Sequence, residues 1–206
     1  MYIARILYPV KVLGPGNRIG IWFDGCKHHC KGCSNPELWE FEERYQTDAD
    51  TVMQLINSVA KDHPVDGFTL TGGDPLLQPD ALRKLLPKIN KISSDIICYT
   101  GYLKEELECD DILSEIAVLI DGKYVEEQNN GVTLRGSDNQ RVIILKDEYR
   151  DKYEEYLRTA HNEIQNFKTR DTLISVGIHD RGYEDKLKAF ALKKGLVEPN
   201  IKQEEQ

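Results

Sequence analysis

The sequence has no long apolar run and no excess of basic residues. Its longest purely apolar stretches, such as Ala117–Ile120, fall far short of the ~18 residues that a membrane-spanning helix requires. Acidic residues outnumber basic residues by 35 to 27, which gives a net charge of −8, and no basic tract offsets this balance. We therefore expect neither a membrane nor a nucleic acid among the partners of this chain.

The sequence also lacks the features of an exported protein. Its first residues contain neither the basic segment nor the apolar segment of a secretory signal. The five cysteines are an odd number, and three of them fall within the eight residues from Cys26 to Cys33, which disfavours a framework of disulfides. We expect a protein that works in the reducing cytoplasm.

The length of the chain limits its fold. With 206 residues it can build one substantial core, but it is short for two domains and for the ~250 residues of a complete eight-stranded βα barrel. Only the polar, acidic residues 197–206 have the composition of a tail. We expect a single domain over residues 1–196.

Short apolar runs alternate with amphipathic segments along the chain. The apolar runs predict strands at Ile19–Phe23, Gly67–Thr71, Asp95–Tyr99, Ala117–Asp121, Arg141–Leu145 and Leu173–Ile178. Helical spacing of apolar residues predicts helices over 47–62, 82–89, 104–116, 149–164 and 183–195. Thr47 or Asp48 is the expected N-cap of the first helix, and Pro87 predicts a kink or an early stop in the second. Strands separated by helices are typical of βαβ units, so we predict an α/β protein with a mostly parallel sheet.

The most informative segment is the cysteine loop, residues 24–36, which follows the predicted strand Ile19–Phe23. It places Cys26, Cys30 and Cys33 in a C-x₃-C-x₂-C pattern. The carboxyl end of a strand is where α/β proteins place their sites, and three thiolates this close in sequence can wrap one corner of a metal cluster. A cubane cluster ordinarily takes four cysteines, so a set of three would leave one iron open to a substrate.

A zinc site is the alternative to a cluster. Structural zinc takes four ligands, and one histidine could complete a set with the three cysteines. The candidates are His28, His29, His63, His161 and His179. We interpret His28 and His29 as loop residues without a ligand role, and Cys98 and Cys109 as cysteines outside the site.

Several further segments accompany the cysteine loop in a familiar order: Gly14–Arg18, Ser34–Trp39, Thr69–Leu76, Tyr99–Tyr102, Asp121–Gly122 and Arg135–Arg141. With the cysteine spacing, they make the chain resemble the radical S-adenosylmethionine superfamily. Within that superfamily it is similar to the activating proteins of anaerobic (class III) ribonucleoside-triphosphate reductases. The resemblance runs from about Tyr2 to Leu145 and continues weakly to Gly195.

The resemblance implies a fold and a chemistry. The implied fold is a partial, incomplete βα barrel with a curved, mostly parallel sheet of about five to six strands, whose open side could admit a glycine loop of a larger protein. Cys26, Cys30 and Cys33 would hold a 4Fe-4S cluster, and S-adenosylmethionine would chelate the open iron. One electron from a reduced flavodoxin- or ferredoxin-type donor would cleave S-adenosylmethionine. The resulting 5′-deoxyadenosyl radical would generate a glycyl radical on the large subunit of the reductase.

The resemblance also assigns a contact to the methionine amino group of S-adenosylmethionine. Gly72, Gly73 and Asp74 match the segment that makes this contact, with Asp in place of the commoner Glu. Two glycines after a strand let the backbone approach a ligand, and a carboxylate pairs with an ammonium group. We expect this segment to bind the cofactor.

Later segments supply the remaining expected contacts. Asp121 and Lys123 match an acidic-x-Lys pair of glycyl-radical activases, which is expected to contact the nucleoside or the methionine moiety. Asn139 and Arg141 are expected at the same mouth, or else in a turn with Arg141 in solvent. Trp39 is expected to form a lid on the cysteine loop.

Two other functions stay open at this point. The chain could activate a different glycyl-radical enzyme, or act as a small radical maturase on a peptide. Activases of other glycyl-radical enzymes often insert additional cysteine-rich motifs, which this sequence lacks. The other function is that of a zinc-binding interaction module.

Overall fold

The computed structural model describes residues 1–168, 173–183, 185–186 and 189. The helix predicted from Tyr183 to Gly195 lies largely outside the described residues, and the predicted tail over 197–206 lies wholly outside them. The division into one domain and a tail therefore stays a prediction. Within the described residues, no helix combines the length and apolarity needed to cross a membrane.

Six strands form one sheet in the order β1-β2-β3-β4-β5-β6. They are β1 Ile3–Val10, β2 Arg18–Phe23, β3 Gly67–Gly72, β4 Ile96–Tyr99, β5 Val118–Asp121 and β6 Arg141–Ile144. Strands β2 to β5 run parallel, whereas β1 and β6 are antiparallel to their neighbours. The predicted α/β class with a mostly parallel sheet is confirmed.

The sheet is open. In the described part of the chain, β1 and β6 lie at its two edges and do not pair with each other, so the strands form no closed barrel. The partial barrel implied by the resemblance stays a prediction. Strand β1 has no counterpart among the predicted elements, because an edge strand interrupted by Arg5 and Pro9 lacks a clear alternation of apolar residues.

The helices are α1 Ala49–Asp62, α2 Pro79–Ile89, α3 Asp110–Leu113 and α4 Arg150–Thr159. Asp48 caps α1 as predicted, since its carboxylate accepts hydrogen bonds from the backbone N–H groups of Asp50 and Thr51. Of the two outcomes predicted at Pro87, the early stop is wrong and the kink stays a prediction. Helix α2 continues to Ile89, because Pro87 removes only one backbone hydrogen bond in the last turn.

The predicted helix over 104–116 is also wrong. The chain forms a single 3₁₀ turn at 104–106 and then the short helix α3. The backbone of Leu107 is extended, with a ψ of 120°, which ends the turn before α3 begins at Asp110. The chain therefore forms two short segments in place of one long helix, and Ile112 of α3 lies in the core.

The helix predicted over 149–164 ends early, and a separate hairpin follows. Helix α4 ends at Thr159, and Ile164 opens strand β7 Ile164–Lys168. Strand β8 Leu173–Gly177 confirms the predicted strand at Leu173–Ile178, but it pairs antiparallel with β7 in its own two-stranded sheet. Cross-strand pairing with Gly177 overrides the helical spacing that Ile164 shows in the sequence.

The two faces of the main sheet are covered differently. Helices α1, α2 and α3 bury one face through residues such as Ile56 and Leu82. On the other face, Tyr153 of α4 packs against β5, and Val176 of β8 packs in a cluster with Leu13 and Trp22. The β7–β8 hairpin therefore lies over the face of the sheet that the first three helices leave free.

A buried charged network lies at the amino ends of the parallel strands. The fully buried Arg18 donates hydrogen bonds to Thr69 Oγ1 at 2.8 Å and to the carbonyl oxygen of Phe68 at 2.5 Å, and it pairs with Asp95 at 3.2 Å. Lys152 Nζ lies 2.5 Å from Asp95, and the Tyr153 hydroxyl donates to the same carboxylate. This network stabilises the end of the sheet opposite the cysteine loop.

Removal of the Asp95 carboxylate is expected to destabilise the fold. Asp95→Ala leaves the buried Arg18 without its counter-ion, and we expect the free energy of unfolding to fall by about 3–5 kcal/mol in urea titrations at neutral pH. Asp147→Ala is the control. It removes an exposed carboxylate that pairs with Arg150 and is expected to cost less than about 1 kcal/mol. Equal losses in the two variants would contradict this account.

The same network predicts a pH dependence. Burial acts to raise the pKa of Asp95, but Arg18, Lys152 and Tyr153 together lower it below its ordinary value of 3.8. A carboxyl with a lowered folded-state pKa contributes stability that is complete above the unfolded pKa and is lost as the pH falls through the folded pKa. The stability difference between the wild type and Asp95→Ala should therefore narrow as the pH falls below 3.8.

Candidate functional site

The carboxyl ends of the parallel strands open onto one cavity. Strand β2 leads into the cysteine loop, β3 into Gly72 and Gly73, and β4 into Thr100 and Gly101. The cavity has a volume of about 540 Å³ and is lined by all three cysteines of the loop, by these strand ends and by residues of β8. This volume is within the range of small-molecule and cofactor sites.

Backbone hydrogen bonds hold both arms of the cysteine loop. The N–H of Gly25 donates to the carbonyl oxygen of Leu38 at 3.0 Å, and the N–H of Cys26 donates to that of Trp39 at 2.8 Å. The N–H of Asp74 donates to the carbonyl oxygen of Gly25 at 2.8 Å. The start of the loop is therefore tied to its own return segment and to the segment after β3.

Each sulfur of the loop has an N–H donor close by. The N–H of His28 lies 3.5 Å from Cys26 Sγ, and that of Asn35 lies 3.4 Å from Cys33 Sγ. Burial raises the pKa of the Cys30 thiol, and the backbone N–H of Tyr124 and the charge of Lys123 partly offset this effect. Burial likewise raises the pKa of the other two thiols. Bound iron would supply the positive charge that half-buried thiolates require.

Trp39 tests whether a cluster fits this loop. Its indole Nε1 is buried and has no hydrogen-bond partner in the described part of the chain. Burial raises the pKa of the Cys33 thiol, and the N–H of Asn35 and the Trp39 indole partly offset this effect. Buried donors are normally satisfied, and the sulfur atoms of a cluster are acceptors. The residues of the loop therefore fit a 4Fe-4S group.

The described residues contain no set of three or more His, Cys, Asp or Glu side chains arranged to hold one metal ion. The choice between zinc and a cluster therefore rests on the relatives of the chain, reported below. His28 and His29 make contacts other than with a metal. The ring of His28 packs edge-on against Tyr102 at 4.6 Å, and the ring of His29 stacks on Trp39 at 4.7 Å.

Gly72 and Gly73 line the cavity, and their lack of side chains also lets two backbones meet. Gly72 has a φ of +104°, and a Cβ there would lie 2.4 Å from the carbonyl oxygen of Phe23. A Cβ on Gly73 would lie 2.3 Å from the carbonyl oxygen of Gly25. The close approach that we expected toward a ligand is therefore, in this structure, an approach to β2 and to the cysteine loop.

Asp74 is buried, with an exposed fraction of 1%, and its carboxylate binds groups of the chain itself. It accepts hydrogen bonds from the N–H of Gly101 at 2.9 Å and the hydroxyl of Thr100 at 3.0 Å, and His28 Nε2 lies 3.1 Å from it. The N–H of Leu76 is a further donor at 3.0 Å. The carboxylate therefore joins the cysteine loop to the ends of β3 and β4.

The residues expected near the end of β5 do not line the cavity. Asp121 is fully buried, pairs with Arg141 and accepts a hydrogen bond from the N–H of Lys104 at 2.8 Å. Lys123 is exposed, and the exposed Asn139 donates to its carbonyl oxygen at 2.7 Å. Gly122 and Tyr124, on either side of Lys123, do line the cavity.

Sequence reasoning missed two contributors to this cavity. Thr100 and Gly101 belong to the segment Tyr99–Tyr102, which was quoted for the resemblance but had no assigned role. Their position after a buried strand was a usable signal. The wall formed by β8 and the residues that follow it, 173–183, had no comparable signal in the sequence.

The relatives of the chain agree with this geometry. Residues 12–143 match a family described as a 4Fe-4S single cluster domain. The anaerobic ribonucleoside-triphosphate reductase-activating protein of Haemophilus influenzae is 39% identical over 150 residues, which cover 68% of this chain and 96% of the relative. The proteins of the same name from Enterobacteria phage T4 and Escherichia coli K12 are each 34% identical, covering 66% and 68% of this chain and 90% and 96% of the relative. The family match favours an iron-sulfur cluster over zinc.

Gly73→Ala tests the contact between the cysteine loop and the end of β3. The added Cβ would meet the carbonyl oxygen of Gly25, so the two segments must separate, at a cost of about 1–3 kcal/mol in unfolding free energy. Because the loop is then displaced, we also expect less iron per chain after anaerobic reconstitution. Gly131→Ala is the control for iron content: its φ of +74° makes alanine costly for the fold as well, but its Cβ would meet no atom closer than 3.7 Å. Full iron content in Gly73→Ala would contradict the role of this contact.

Proposed function

Since the chain belongs to the family of anaerobic ribonucleoside-triphosphate reductase-activating proteins, we propose that it generates the glycyl radical of such a reductase as a radical S-adenosylmethionine enzyme. The observation that carries this proposal is the cysteine loop at the carboxyl end of β2, which opens onto a cavity shared with the ends of β3, β4 and β5. The iron-sulfur domain and the reductase-activating relatives support it.

Cys26, Cys30 and Cys33 are the proposed cluster ligands. All three are half-buried free thiols that line the cavity, and each has a nearby N–H group that stabilises negative charge on sulfur. Three ligands leave one iron of a 4Fe-4S cluster without a protein ligand. The three cysteines would hold the cluster, which would supply the one-electron reductive cleavage of S-adenosylmethionine needed to make a glycyl radical.

S-adenosylmethionine is proposed to lie in the cavity along the ends of β3 and β4. Gly72 and Gly73 line this part of the cavity, and because they have no side chains the cofactor could contact their backbone directly. Asp74 would act mainly by holding Thr100 and Gly101 against the cysteine loop, because its carboxylate already accepts hydrogen bonds from these residues. The cavity wall formed by β8 would limit the access of water to the cofactor.

The segment after β5 is proposed to form the rim of this site. Lys123 lies between Gly122 and Tyr124, which line the cavity, and Asn139 donates a hydrogen bond to the carbonyl oxygen of Lys123. Asp121 would stabilise this rim through its ion pair with Arg141. We propose that Lys123 and Asn139 contact the nucleoside or methionine moiety once the cofactor is bound, with Asp121 as their support.

The partner is proposed to be the large subunit of the anaerobic reductase, with a reduced flavodoxin- or ferredoxin-type protein as the electron donor, in the cytoplasm. The relatives are named for activation of that reductase, which supports this partner. The open sheet leaves its two edges unpaired in the described residues, which is consistent with a partial barrel. A glycine loop of the large subunit would reach the cavity from the open side.

Cys30→Ser tests the ligand set. We expect it to lose the 4Fe-4S cluster and the formation of 5′-deoxyadenosine, by more than the ~10–100-fold that loss of an outer-shell partner costs a metal site. Iron, sulfide and 5′-deoxyadenosine are measured after anaerobic reconstitution and reduction with S-adenosylmethionine present. Cys109→Ser is the control, because Cys109 is also half-buried but lies outside the cavity lining. Activity retained in Cys30→Ser would show the ligand assignment to be wrong.

The partner is tested by adding the anaerobic reductase to the loaded, reduced protein. We expect a glycyl-radical signal in the electron paramagnetic resonance spectrum that depends on both S-adenosylmethionine and this chain. A loaded protein that forms 5′-deoxyadenosine alone but leaves the reductase without a radical would contradict the proposed partner while leaving the cofactor chemistry intact.

A further inference from the structure

Trp39 carries a feature that the proposed function does not yet use. Its Nε1 atom is shielded from solvent and has no hydrogen-bond partner in the described part of the chain. An unsatisfied buried donor costs about 1–3 kcal/mol unless something in the working protein accepts from it.

The position of Trp39 is set by the cysteine loop. Its carbonyl oxygen accepts a hydrogen bond from the N–H of Cys26 at 2.8 Å, and its own N–H donates to the carbonyl oxygen of Pro36 at 3.3 Å. The ring of His29 stacks on the indole with an angle of 19° between the planes. Backbone and ring are thus both held by residues that lie among the proposed ligands.

The cysteine sulfurs of the loop are the candidate acceptors. Trp39 ends the short turn Pro36–Leu38 that follows Cys33, and its carbonyl oxygen accepts from the N–H of Cys26, so the residue lies beside two of the proposed ligands. Thiolate and sulfide bound to iron carry negative charge and accept hydrogen bonds more strongly than a neutral thiol does. We propose that Trp39 donates a hydrogen bond from Nε1 to the Cys33 sulfur, or to an adjoining sulfide, of the bound cluster, and thereby raises the reduction potential of that cluster.

This inference rests on the proposed cluster, and it makes Trp39 a positioning residue that acts through sulfur. Reduction adds one electron to the cluster and forms no bond. A donor near sulfur stabilises the more negatively charged reduced state more than the oxidised state, so its removal makes reduction harder. The role of a lid, expected from the sequence, would not by itself produce this effect.

Trp39→Phe is the test, because phenylalanine retains a ring against His29 and removes the N–H. The reconstituted wild type and the variant are titrated with dithionite in the presence of redox mediators. At a fixed potential we expect the ratio of reduced to oxidised cluster to fall about tenfold, which is ~59 mV for one electron. Tyr149→Phe is the matched control, since it also removes a hydrogen-bonding group from an aromatic side chain, and Tyr149, whose hydroxyl bonds with Ser94, lies outside the cavity lining. We expect it to leave the potential unchanged.

A second measurement does not depend on the stability of the variant. The reduced cluster, compared in H₂O and in D₂O, should show exchangeable protons of the backbone N–H groups at the sulfurs coupled to the electron spin in both proteins, and one further coupling in the wild type that Trp39→Phe lacks. Equal potentials in loaded wild type and Trp39→Phe would overturn the inference, as would the same set of exchangeable couplings in both proteins. A loaded cluster that fails to cleave S-adenosylmethionine would overturn the proposed function alone. A wild type that takes up no cluster would overturn both.

Discussion

The buried carboxylate of Asp74 is the contact on which the arrangement of the site depends. It lies after β3, accepts hydrogen bonds from Thr100 and Gly101 after β4, and contacts the ring of His28 in the cysteine loop. A buried carboxylate is costly without donors, so the three segments are stable only when they meet. The cavity between them exists because of that requirement, and the glycines before Asp74 allow the backbones to come close enough.

The amino and carboxyl ends of the parallel strands differ in how fully their polar groups are satisfied. At the amino ends, Arg18, Asp95 and Tyr153 form a closed network in which each charged group has a partner. At the carboxyl ends, the three thiols and the Trp39 indole carry polar atoms that the chain satisfies only in part. Placing the satisfied network at one end lets the other end keep groups that a cofactor can complete.

The wall of the cavity comes from outside the region that defines the family. The matched domain covers residues 12–143, whereas the β7–β8 hairpin begins at Ile164. Val176 packs with Leu13 and Trp22, and the side chain of Gln165 exchanges hydrogen bonds with the backbone of Pro9 and Lys11. The matched region thus contains the cysteine loop, whereas one side of the cavity is formed by a later segment of the chain.

Local patterns were sufficient for much of the fold and for the centre of the site. Buried strands such as β2 and β5, the Asp48 cap and the position of the cysteine loop after β2 all depend on neighbours in sequence, which a single chain displays directly. The resemblance added the cluster and the cofactor, and the family comparison supports the cluster. The strands, the cap and the position of the loop follow from periodicity, capping and spacing, which short-range chemistry controls.

Tertiary structure alone decided the remainder. Ile164 has the spacing of a helix but pairs with Gly177. Asp121 is buried, pairs with the exposed Arg141 and does not line the cavity. The carboxylate of Asp74 accepts hydrogen bonds from its own chain. The isolated N–H of Trp39 is likewise visible only after the loop has folded. Each of these outcomes depends on partners distant in sequence, and the free energy of burying a polar or apolar group is settled only when those partners are in place.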